Sequence, residues 1–381
     1  MLTLIENGEV YTPEPLGRQS ILLVDGKIGK VGEVERKAVE ALGLEYEIIE
    51  AKNCIIAPGL IDPHQHLLGG SGEKGFSTQT PEFFVGEIVR HGITTVVGVL
   101  GADTTMKTLP GLLAKVKGLE EQGLNAFLWT GGYDVPPVSM METVREDIMF
   151  IEEVIGVGEV AISDQRALAP DPRELAKVAT HSHVGGMLSR KAGLTHFHVG
   201  EGEGRLAPLR TLIEEYDVEP EWLYATHIER SEALMREAIE LAGRGAAVDI
   251  DTVEEDLPKW LGFYLENGGD PERLTVSSDA AINSPRVLYE QIRDCMIEHD
   301  FPLEQVLALV TRNPARILKL ENKGTLEKGK MGDILVLEKG SLEIVHVLSK
   351  GVRMVEDGAL VVQEAFLEES NRNITLKGQK K

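Results

Sequence analysis

Eight short apolar segments rich in β-branched residues alternate with helix-like segments through the middle of the chain, and this alternation limits the fold more than any other feature. The segments are CIIAPGLID, ITTVVGV, NAFLWT, VGEVAI, LTHFHV, LYATH, AAVDI and LTVSSD. Such alternation is typical of parallel strands joined by crossover helices. Because successive βα units of this number match a closed barrel rather than an open sheet, the sequence predicts an α/β fold, a (β/α)8 TIM barrel over residues 55–324.

The two ends of the chain have a different pattern. Short alternating segments there are separated by tight turns, such as Asp25-Gly26 near the start and Asp357-Gly358 near the end. Asp-Gly between alternating apolar residues is a strong hairpin signal. The sequence therefore predicts a small β-sandwich domain formed from both chain ends, residues 1–54 and 325–381.

Charge and hydropathy exclude two classes of partner. The chain has 381 residues and a net charge of -23 at pH 7, and no basic patch with interleaved aromatic residues is present, so we expect no nucleic acid partner. No segment reaches the ~18 to 20 consecutive apolar residues of a membrane span, and the first residues lack the pattern of a signal peptide. We therefore expect a cytoplasmic protein with no membrane partner, in which Cys54 and Cys295 are reduced thiols.

Imidazole and carboxylate side chains stand at the ends of several predicted strands. His64 and His66 close the first strand, and residues two apart on a strand point to the same side. A histidine pair alone is a weak signal, but His198, His227 and Asp279 close the fifth, sixth and eighth strands, where barrel enzymes place catalytic groups. Imidazole with carboxylate suits zinc or a similar metal better than calcium or magnesium, so the pattern predicts a metal site.

Other histidines fit structural roles. His181 and His183 lie two apart in a helical segment, where such residues do not share a face, so we do not expect them to bind a metal together. His196 precedes His198 on the fifth strand, and we expect it in the core or beside a metal ligand.

Several segments carry a family resemblance. PGLIDPHQH, with the later strand-end residues, resembles the amidohydrolase superfamily. More specifically, HLLGGSGEKGFSTQTPE, TGGYDVP, AISDQR and THIER resemble isoaspartyl dipeptidases, and the likeness covers nearly the whole chain. The resemblance implies a metal-dependent hydrolase, with two zinc ions per subunit, that cleaves the β-aspartyl amide bond of dipeptides. It also implies a homo-oligomer, since isoaspartyl dipeptidases are typically octamers.

The resemblance also implies roles at the metals and in the reaction. It assigns metal ligation to His64, His66 and Asp279 at one ion, and to His198 and His227 at the other. Two divalent ions that share a water lower its pKa toward ~7, which makes hydroxide available. Asp279 would take the proton of this hydroxide and pass it to the departing amine, and Tyr133 would polarise the scissile carbonyl.

The bridging ligand departs from the family pattern. The family commonly has a carboxylated lysine on strand four, whereas this sequence has Glu159 at the matching position and no lysine nearby. A glutamate supplies two oxygens but is shorter, and Gly158 just before it would permit a bulge that moves the backbone toward the metals. We therefore expect Glu159 to bridge two ions. The alternative is that Glu159 is a neighbouring carboxylate beside a single-metal site.

The resemblance assigns Glu73 to the α-amino group of the substrate, and Arg166, Arg230 and Ser284 to its carboxylates. The planar fork of arginine suits bidentate carboxylate binding. The segment after Asp279 is one residue longer than the family pattern, so Asn283 is an alternative to Ser284.

Two other functions remain open at this stage. One is another amide hydrolase on the same scaffold, a cyclic amidase or an N-acyl amino acid deacylase, although a neutral cyclic imide does not need the charges of Glu73 and two arginines. The other is a non-catalytic scaffold, against which the converging metal-ligand set argues.

Overall fold

The computed structural model describes residues 1–167, 169–368 and 370–371, which form two sheets with helices around one of them. The strands are β1 (Leu2–Tyr11), β2 (Pro15–Val24), β3 (Lys27–Gly32), β4 (Tyr46–Glu50), β5 (Cys54–Pro58), β6 (Leu60–Gln65), β7 (Ile93–Gly98), β8 (Asn125–Thr130), β9 (Val154–Ile162), β10 (Leu194–Val199), β11 (Leu223–Thr226), β12 (Ala247–Asp251), β13 (Leu274–Ser277), β14 (Ile334–Glu338), β15 (Ile344–Ser349), β16 (Val352–Glu356) and β17 (Ala359–Leu360).

Helices follow most of the strands in the middle of the chain. They are α1 (Arg36–Glu40), α2 (Val85–Val89), α3 (Leu109–Glu121), α4 (Val144–Phe150), α5 (Pro172–Ser189), α6 (Ala207–Glu215), α7 (Glu232–Gly243), α8 (Leu257–Glu266), α9 (Arg286–Ile297), α10 (Leu303–Leu309) and α11 (Arg312–Ile317). Short 3-10 helices span Phe76–Thr78, Pro220–Trp222, Ile228–Arg230 and Ala365–Leu367. None of the helices in the described residues is long and apolar enough to cross a membrane.

Strands β6 to β13 form an eight-stranded sheet in which each strand pairs in parallel with the next one along the chain. The two edges of this sheet meet just beyond the strands. The backbone N–H of His66 donates to the carbonyl of Ala280 at 2.9 Å, and that of Asp279 donates to the carbonyl of His64 at 3.1 Å. The predicted TIM barrel is therefore confirmed.

The barrel core lies between the strands and the helices that surround them, with fully buried side chains such as Val96, Leu112 and Val160. Local sequence sets where the helices begin. In α5, for example, Pro172 occupies the first turn, and the side chain of Asp171 accepts a hydrogen bond from the backbone N–H of Arg173. This cap satisfies a donor that the helix itself leaves unpaired.

The other sheet joins the two ends of the chain. Its nine strands run in the order β17-β16-β15-β14-β5-β1-β2-β3, with β4 paired to β1. Strand β5 pairs with β1 in parallel and with β14 in the antiparallel direction, so it joins the N-terminal strands to the C-terminal ones. A mixed sheet of this kind agrees with the predicted small β-sandwich domain.

The first predicted barrel strand, CIIAPGLID, differs from the observed structure. Its first half, β5, belongs to the nine-stranded sheet, and the barrel begins only at Leu60. Gly59 stands at the change of sheet, where a Cβ atom would lie 2.3 Å from Thr94 Oγ1, so the chain can turn there only with glycine. The exact division into domains stays a prediction, and residues 369 and 372–381 of the predicted small domain lie outside the described residues.

Candidate active site

Six side chains predicted as metal ligands meet at the carboxyl ends of the barrel strands. They come from β6, β9 and β10 and from the residues directly after β6, β11 and β13: His64, His66, Glu159, His198, His227 and Asp279. Parallel strands bring these positions together because their carboxyl ends share one face of the barrel.

Glu159 lies between two pairs of histidines. Its Oε2 atom is 3.4 Å from His64 Nε2 and 3.8 Å from His66 Nε2. Its Oε1 atom is 2.5 Å from His198 Nδ1 and 3.2 Å from His227 Nε2. Each carboxylate oxygen therefore faces a different pair, which is the arrangement that a ligand shared between two cations needs.

An extra residue in β9 places Glu159 there. Val157 pairs with Thr195 of β10, but the next pair joins Val160 to Phe197, so β9 has one more residue than its partner in between. A Cβ atom on Gly158 would lie only 2.7 Å from the Cβ atom of His196, so glycine permits the close approach of the strands. The bulge predicted at Gly158 is confirmed.

Asp279 completes one side of the cluster. Its Oδ1 atom lies 3.2 Å from the Nε2 atoms of both His64 and His66. Burial would raise the pKa of Asp279, but His64 and His66 hold it well below its usual value, so the carboxyl group is ionised at neutral pH.

Charge attraction outweighs burial in setting the pKa of three further residues of the cluster. Burial would lower the pKa of His64, but Glu159 and Asp279 raise it well above its usual value. Burial would also raise the pKa of Glu159, yet His64 and His198 hold it well below the ordinary range. For His227, hydrogen bonds to Asp251 and Glu159 outweigh burial and raise the pKa to about 9. The buried carboxylates thus need positive charge close by.

Several buried polar atoms in the described part of the cluster have no hydrogen-bond partner. They include His64 Nε2, Glu159 Oε2 and Asp279 Oδ1. The ligand atoms of His64, His66 and Asp279 lie within 4.8 Å of one another, as do those of His64, Glu159 and His227. Unpaired buried polar atoms are rare in folded proteins, and a divalent cation would satisfy these. The residues present therefore fit a metal.

Two carboxylates hold two of the histidines in place. Asp251 Oδ2 lies 2.6 Å from His227 Nδ1, and Asp164 Oδ2 lies 3.0 Å from His198 Nε2. In each ring, one nitrogen faces Asp251 or Asp164 and the opposite nitrogen faces Glu159. The aspartate therefore fixes which ring nitrogen is free to bind a metal.

His64 has a neighbour of a different kind. His196 Nε2 lies 3.0 Å from His64 Nδ1, and His196 is fully buried. Burial and the nearby His64 hold the pKa of His196 well below its usual value, so this ring is neutral. Its Nε2 atom can therefore accept a hydrogen bond from the Nδ1–H group of His64. His196 is therefore a core residue beside a predicted metal ligand, as expected.

Tyr133 stands beside the second histidine pair. Its hydroxyl oxygen is 2.9 Å from His198 Nδ1, and its ring lies 5.3 Å from the guanidinium of Arg166. Burial, followed by the charge of Glu159, raises the pKa of Tyr133 well above its usual value. The hydroxyl therefore keeps its proton at neutral pH and can donate it in a hydrogen bond.

A cavity of about 510 Å³ lies beside the cluster and is lined by Asp164 and Arg166, both of which contact His198. Three residues predicted to bind substrate line it, namely Glu73, Arg166 and Arg230. Arg166 Nη1 donates to Glu73 Oε1 at 2.8 Å, and Arg230 Nη1 lies 3.6 Å from Glu201 Oε1. The cavity thus presents both signs of charge.

Ser284 and Asn283 lie in the loop between β13 and α9. Ser284 is exposed, and its Oγ accepts a hydrogen bond from the backbone N–H of Arg286 at the start of α9. Asn283 Nδ2 donates to the carbonyl of Val253 at 3.4 Å. Neither is among the described residues that line the cavity. A substrate-binding role for either residue stays a prediction.

Comparison with solved structures decides the family. The chain is similar to the beta-aspartyl dipeptidase of the thermophilic, keratin-degrading Fervidobacterium islandicum AW-1, with 39% identity and a TM-score of 0.91 over 95% of this chain and 99% of that chain. This chain belongs to the beta-aspartyl dipeptidase family. Because a β-aspartyl link is an isoaspartyl link, the resemblance drawn from the motifs is confirmed.

A second solved structure supports the same family, and two other comparisons give broader matches. A structure of the Fervidobacterium enzyme in complex with the dipeptide beta-Asp-Leu has 38% identity, covers 95% of this chain and 98% of that chain, and has a TM-score of 0.91. The model of the amidohydrolase family matches residues 264–361. The dihydroorotase of Lactobacillus gasseri is 22% identical over an alignment of 437 positions, which covers 96% of this chain and 97% of the relative.

Sequence reasoning missed two carboxylates of this site, Asp164 and Asp251. Each had a signal, since Asp251 ends the strand that follows His227 and Asp164 lies within the quoted motif AISDQR. A carboxylate at a strand end of a barrel is a candidate partner for a metal-binding histidine.

Proposed function

We propose that the protein hydrolyses the β-aspartyl amide bond of dipeptides, with two divalent cations, zinc by preference, held at the barrel mouth. One observation carries this proposal: the two oxygens of Glu159 face different histidine pairs. A shared carboxylate of this kind fits two cations, and imidazole with carboxylate fits zinc. The family membership adds independent support.

The ligands divide into two sets around Glu159. His64, His66 and Asp279 would hold one cation, and His198 and His227 the other. Cations bound there would lower the pKa of a shared water toward ~7 and so supply hydroxide at neutral pH. The unpaired buried atoms of this cluster support the assignment, because bound cations would take the place of the protons that the carboxylates now stabilise on the histidines.

Two side chains would act on the reacting groups. Asp279 is ionised and 21% exposed, so it can accept a proton from the attacking hydroxide and deliver it to the departing amine. Tyr133 keeps its proton, and its hydroxyl oxygen lies 2.9 Å from His198 Nδ1, so the hydroxyl can donate to the oxygen of the scissile carbonyl as negative charge develops.

Charged residues in the cavity would bind the two ends of the dipeptide. Glu73 would take the α-ammonium group, and Arg166 and Arg230 the carboxylates. Arg166 now pairs with Glu73, whose side chain is 61% exposed, and an exposed pair of this kind is worth at most about 1 kcal/mol. A zwitterionic substrate can therefore replace it, since its own charges restore both interactions.

The alternative functions receive less support. A cyclic amidase such as a dihydroorotase acts on a substrate without a free ammonium group, and an N-acyl amino acid deacylase also lacks that group, so neither uses Glu73. A non-catalytic scaffold has no need for converging metal-ligand atoms that lack hydrogen-bond partners, so the cluster argues against that alternative. Cytoplasmic residence and assembly into a homo-octamer stay predictions.

A substrate panel tests the proposal. Zinc-loaded protein is assayed with β-Asp-Leu, α-Asp-Leu, hydantoin and N-acetyl-leucine, with metal-free protein as the control. We expect turnover of β-Asp-Leu alone, and none without metal. Preferential turnover of hydantoin or N-acetyl-leucine would replace this proposal with the matching alternative.

A further inference from the structure

A second cavity, a depression of about 680 Å³ that is widely open to solvent, lies on the outer helical layer of the barrel. It is lined by one residue of α4, five residues of α5 and a residue just after α6: Arg145, Arg173, Ala176, Lys177, Thr180, His181 and Tyr216. Its volume falls in the range of about 300–1,000 Å³ that is typical of small-molecule sites.

The charge of this cavity is opposite to that of the protein. Two arginines, a lysine and a histidine line it, and none of its described lining residues is acidic. The chain as a whole has a net charge of -23. Because exposed charges are screened beyond about 8 Å at physiological salt, a small anion in the cavity would experience mainly these local cations.

The two arginines have no counter-ion in the described part of the chain. Neither the guanidinium of Arg145 nor that of Arg173 lies within 4.0 Å of a described carboxylate. Lys177 pairs only with Glu174, at 2.6 Å, and both side chains are largely exposed. Some other arginines do have an acidic partner, as Arg205 has in Glu237.

A buried donor points to a missing partner. The Nε atom of Arg145 is buried and has no hydrogen-bond acceptor among the described residues. A second observation places other cations close to it: burial, then the charges of Arg145 and Lys177, lowers the pKa of His181 below its usual value. An anion would accept from the free donor and reduce the repulsion among these groups.

We propose that this outer cavity binds a small dianion that carries a sulfate-like or phosphate group or a pair of carboxylates. The fork of a guanidinium matches the oxygens of both kinds of group, and two forks with an ammonium match a double negative charge. The site shares no residue with the metal cluster or with the substrate cavity, so this inference stands apart from the proposed hydrolysis.

The binding of sulfate and succinate to the metal-loaded protein tests the proposal. Isothermal titration at low ionic strength compares the native chain with Arg145→Ala/Arg173→Ala. The matched control is Arg36→Ala/Arg236→Ala, which removes the same charge outside the cavity. Arg230→Ala distinguishes binding in the substrate cavity from binding in the outer cavity. The ratio of the sulfate affinity to the succinate affinity identifies the preferred group.

We expect saturable binding that weakens about tenfold or more in Arg145→Ala/Arg173→Ala, since each variant position loses a charged hydrogen bond. The control pair should bind as the native chain does. Arg230→Ala should lose only binding in the substrate cavity and keep the binding that the Arg145 and Arg173 variants weaken. If the alanine variant does not fold, Arg145→Gln/Arg173→Gln takes its place. The absence of saturable binding, or binding that Arg230→Ala abolishes and the cavity variants preserve, would overturn the proposal.

Discussion

Asp164 connects a predicted metal ligand to a predicted substrate-binding arginine, and replacing it with asparagine tests this connection. Its Oδ2 atom lies 3.0 Å from His198 Nε2 and accepts from Arg166 Nη2 at 2.9 Å, while its Oδ1 accepts from Arg166 Nε at 3.0 Å. The side chain is 5% exposed. The hydrogen bond to His198, and then those to Arg166, hold its pKa below the usual range, so the group is ionised at neutral pH.

The size of the effect follows from these contacts. His198 turns Nδ1 toward Glu159, so a metal ligand at Nδ1 needs its proton on Nε2, where Asp164 accepts it. Asparagine keeps the shape and one acceptor oxygen but loses the charge. Hydrogen bonds to charged groups exceed neutral ones by about 1–1.5 kcal/mol, which corresponds to about tenfold weaker metal binding. Neighbours of metal ligands typically contribute about 10- to 100-fold.

Metal affinity and steady-state kinetics measure the change. Competition with a chromogenic chelator gives the zinc Kd, and β-Asp-Leu gives kcat and KM. Asp164→Asn should raise the zinc Kd about tenfold and also raise KM, because Arg166 loses its fixed position. Asp294→Asn, at an exposed position of α9, removes the same charge and should change neither. A zinc Kd and a KM in Asp164→Asn within twofold of the native values would refute the reasoning.

Three further predictions concern the reaction and the bulge. Asp279→Asn should lower kcat by at least about 100-fold, the usual contribution of a general acid-base group, and turnover at the native rate would exclude the proton-transfer role. Arg230→Ala should chiefly raise KM for β-Asp-Leu, so steady-state kinetics with an unchanged KM would argue against carboxylate binding. Gly158→Ala should destabilise the protein by about 1–3 kcal/mol, because its Cβ would lie 2.7 Å from that of His196. In thermal unfolding, Gly118→Ala, with no atom within 4 Å, is the control and should not lower Tm; an equal Tm in both variants would contradict the packing argument.

The barrel could be predicted because each strand carries its own signal. Apolar β-branched runs and the polar residues that end them are local features, and the rule that barrel strands share one carboxyl face then brings His64, His198 and His227 together. Glu159 was predicted from the family pattern, and Gly158 before it indicated how a shorter side chain could reach the cluster. The register shift in β9 shows that the extra residue is accommodated in the strand rather than in a loop.

The parts that sequence did not reveal depend on contacts between distant segments. Asp251 meets His227, 24 residues away, only after β11 and β12 lie side by side. The division of CIIAPGLID between two sheets depends on the pairing of β5 with β14, near the far end of the chain. The substrate role of Ser284 stays a prediction, because Ser284 lies in a loop and the local contact that the structure shows is the backbone N–H of Arg286, which donates to its Oγ.

The central claim is that Glu159 is shared between two bound cations. Anomalous diffraction from crystals of the zinc-loaded protein, recorded on both sides of the zinc absorption edge, measures this directly. We predict two zinc peaks per subunit, one between Glu159 and the His64 and His66 pair, and the other between Glu159 and the His198 and His227 pair. One peak, or two peaks that both lie away from the Glu159 carboxylate, would contradict the account.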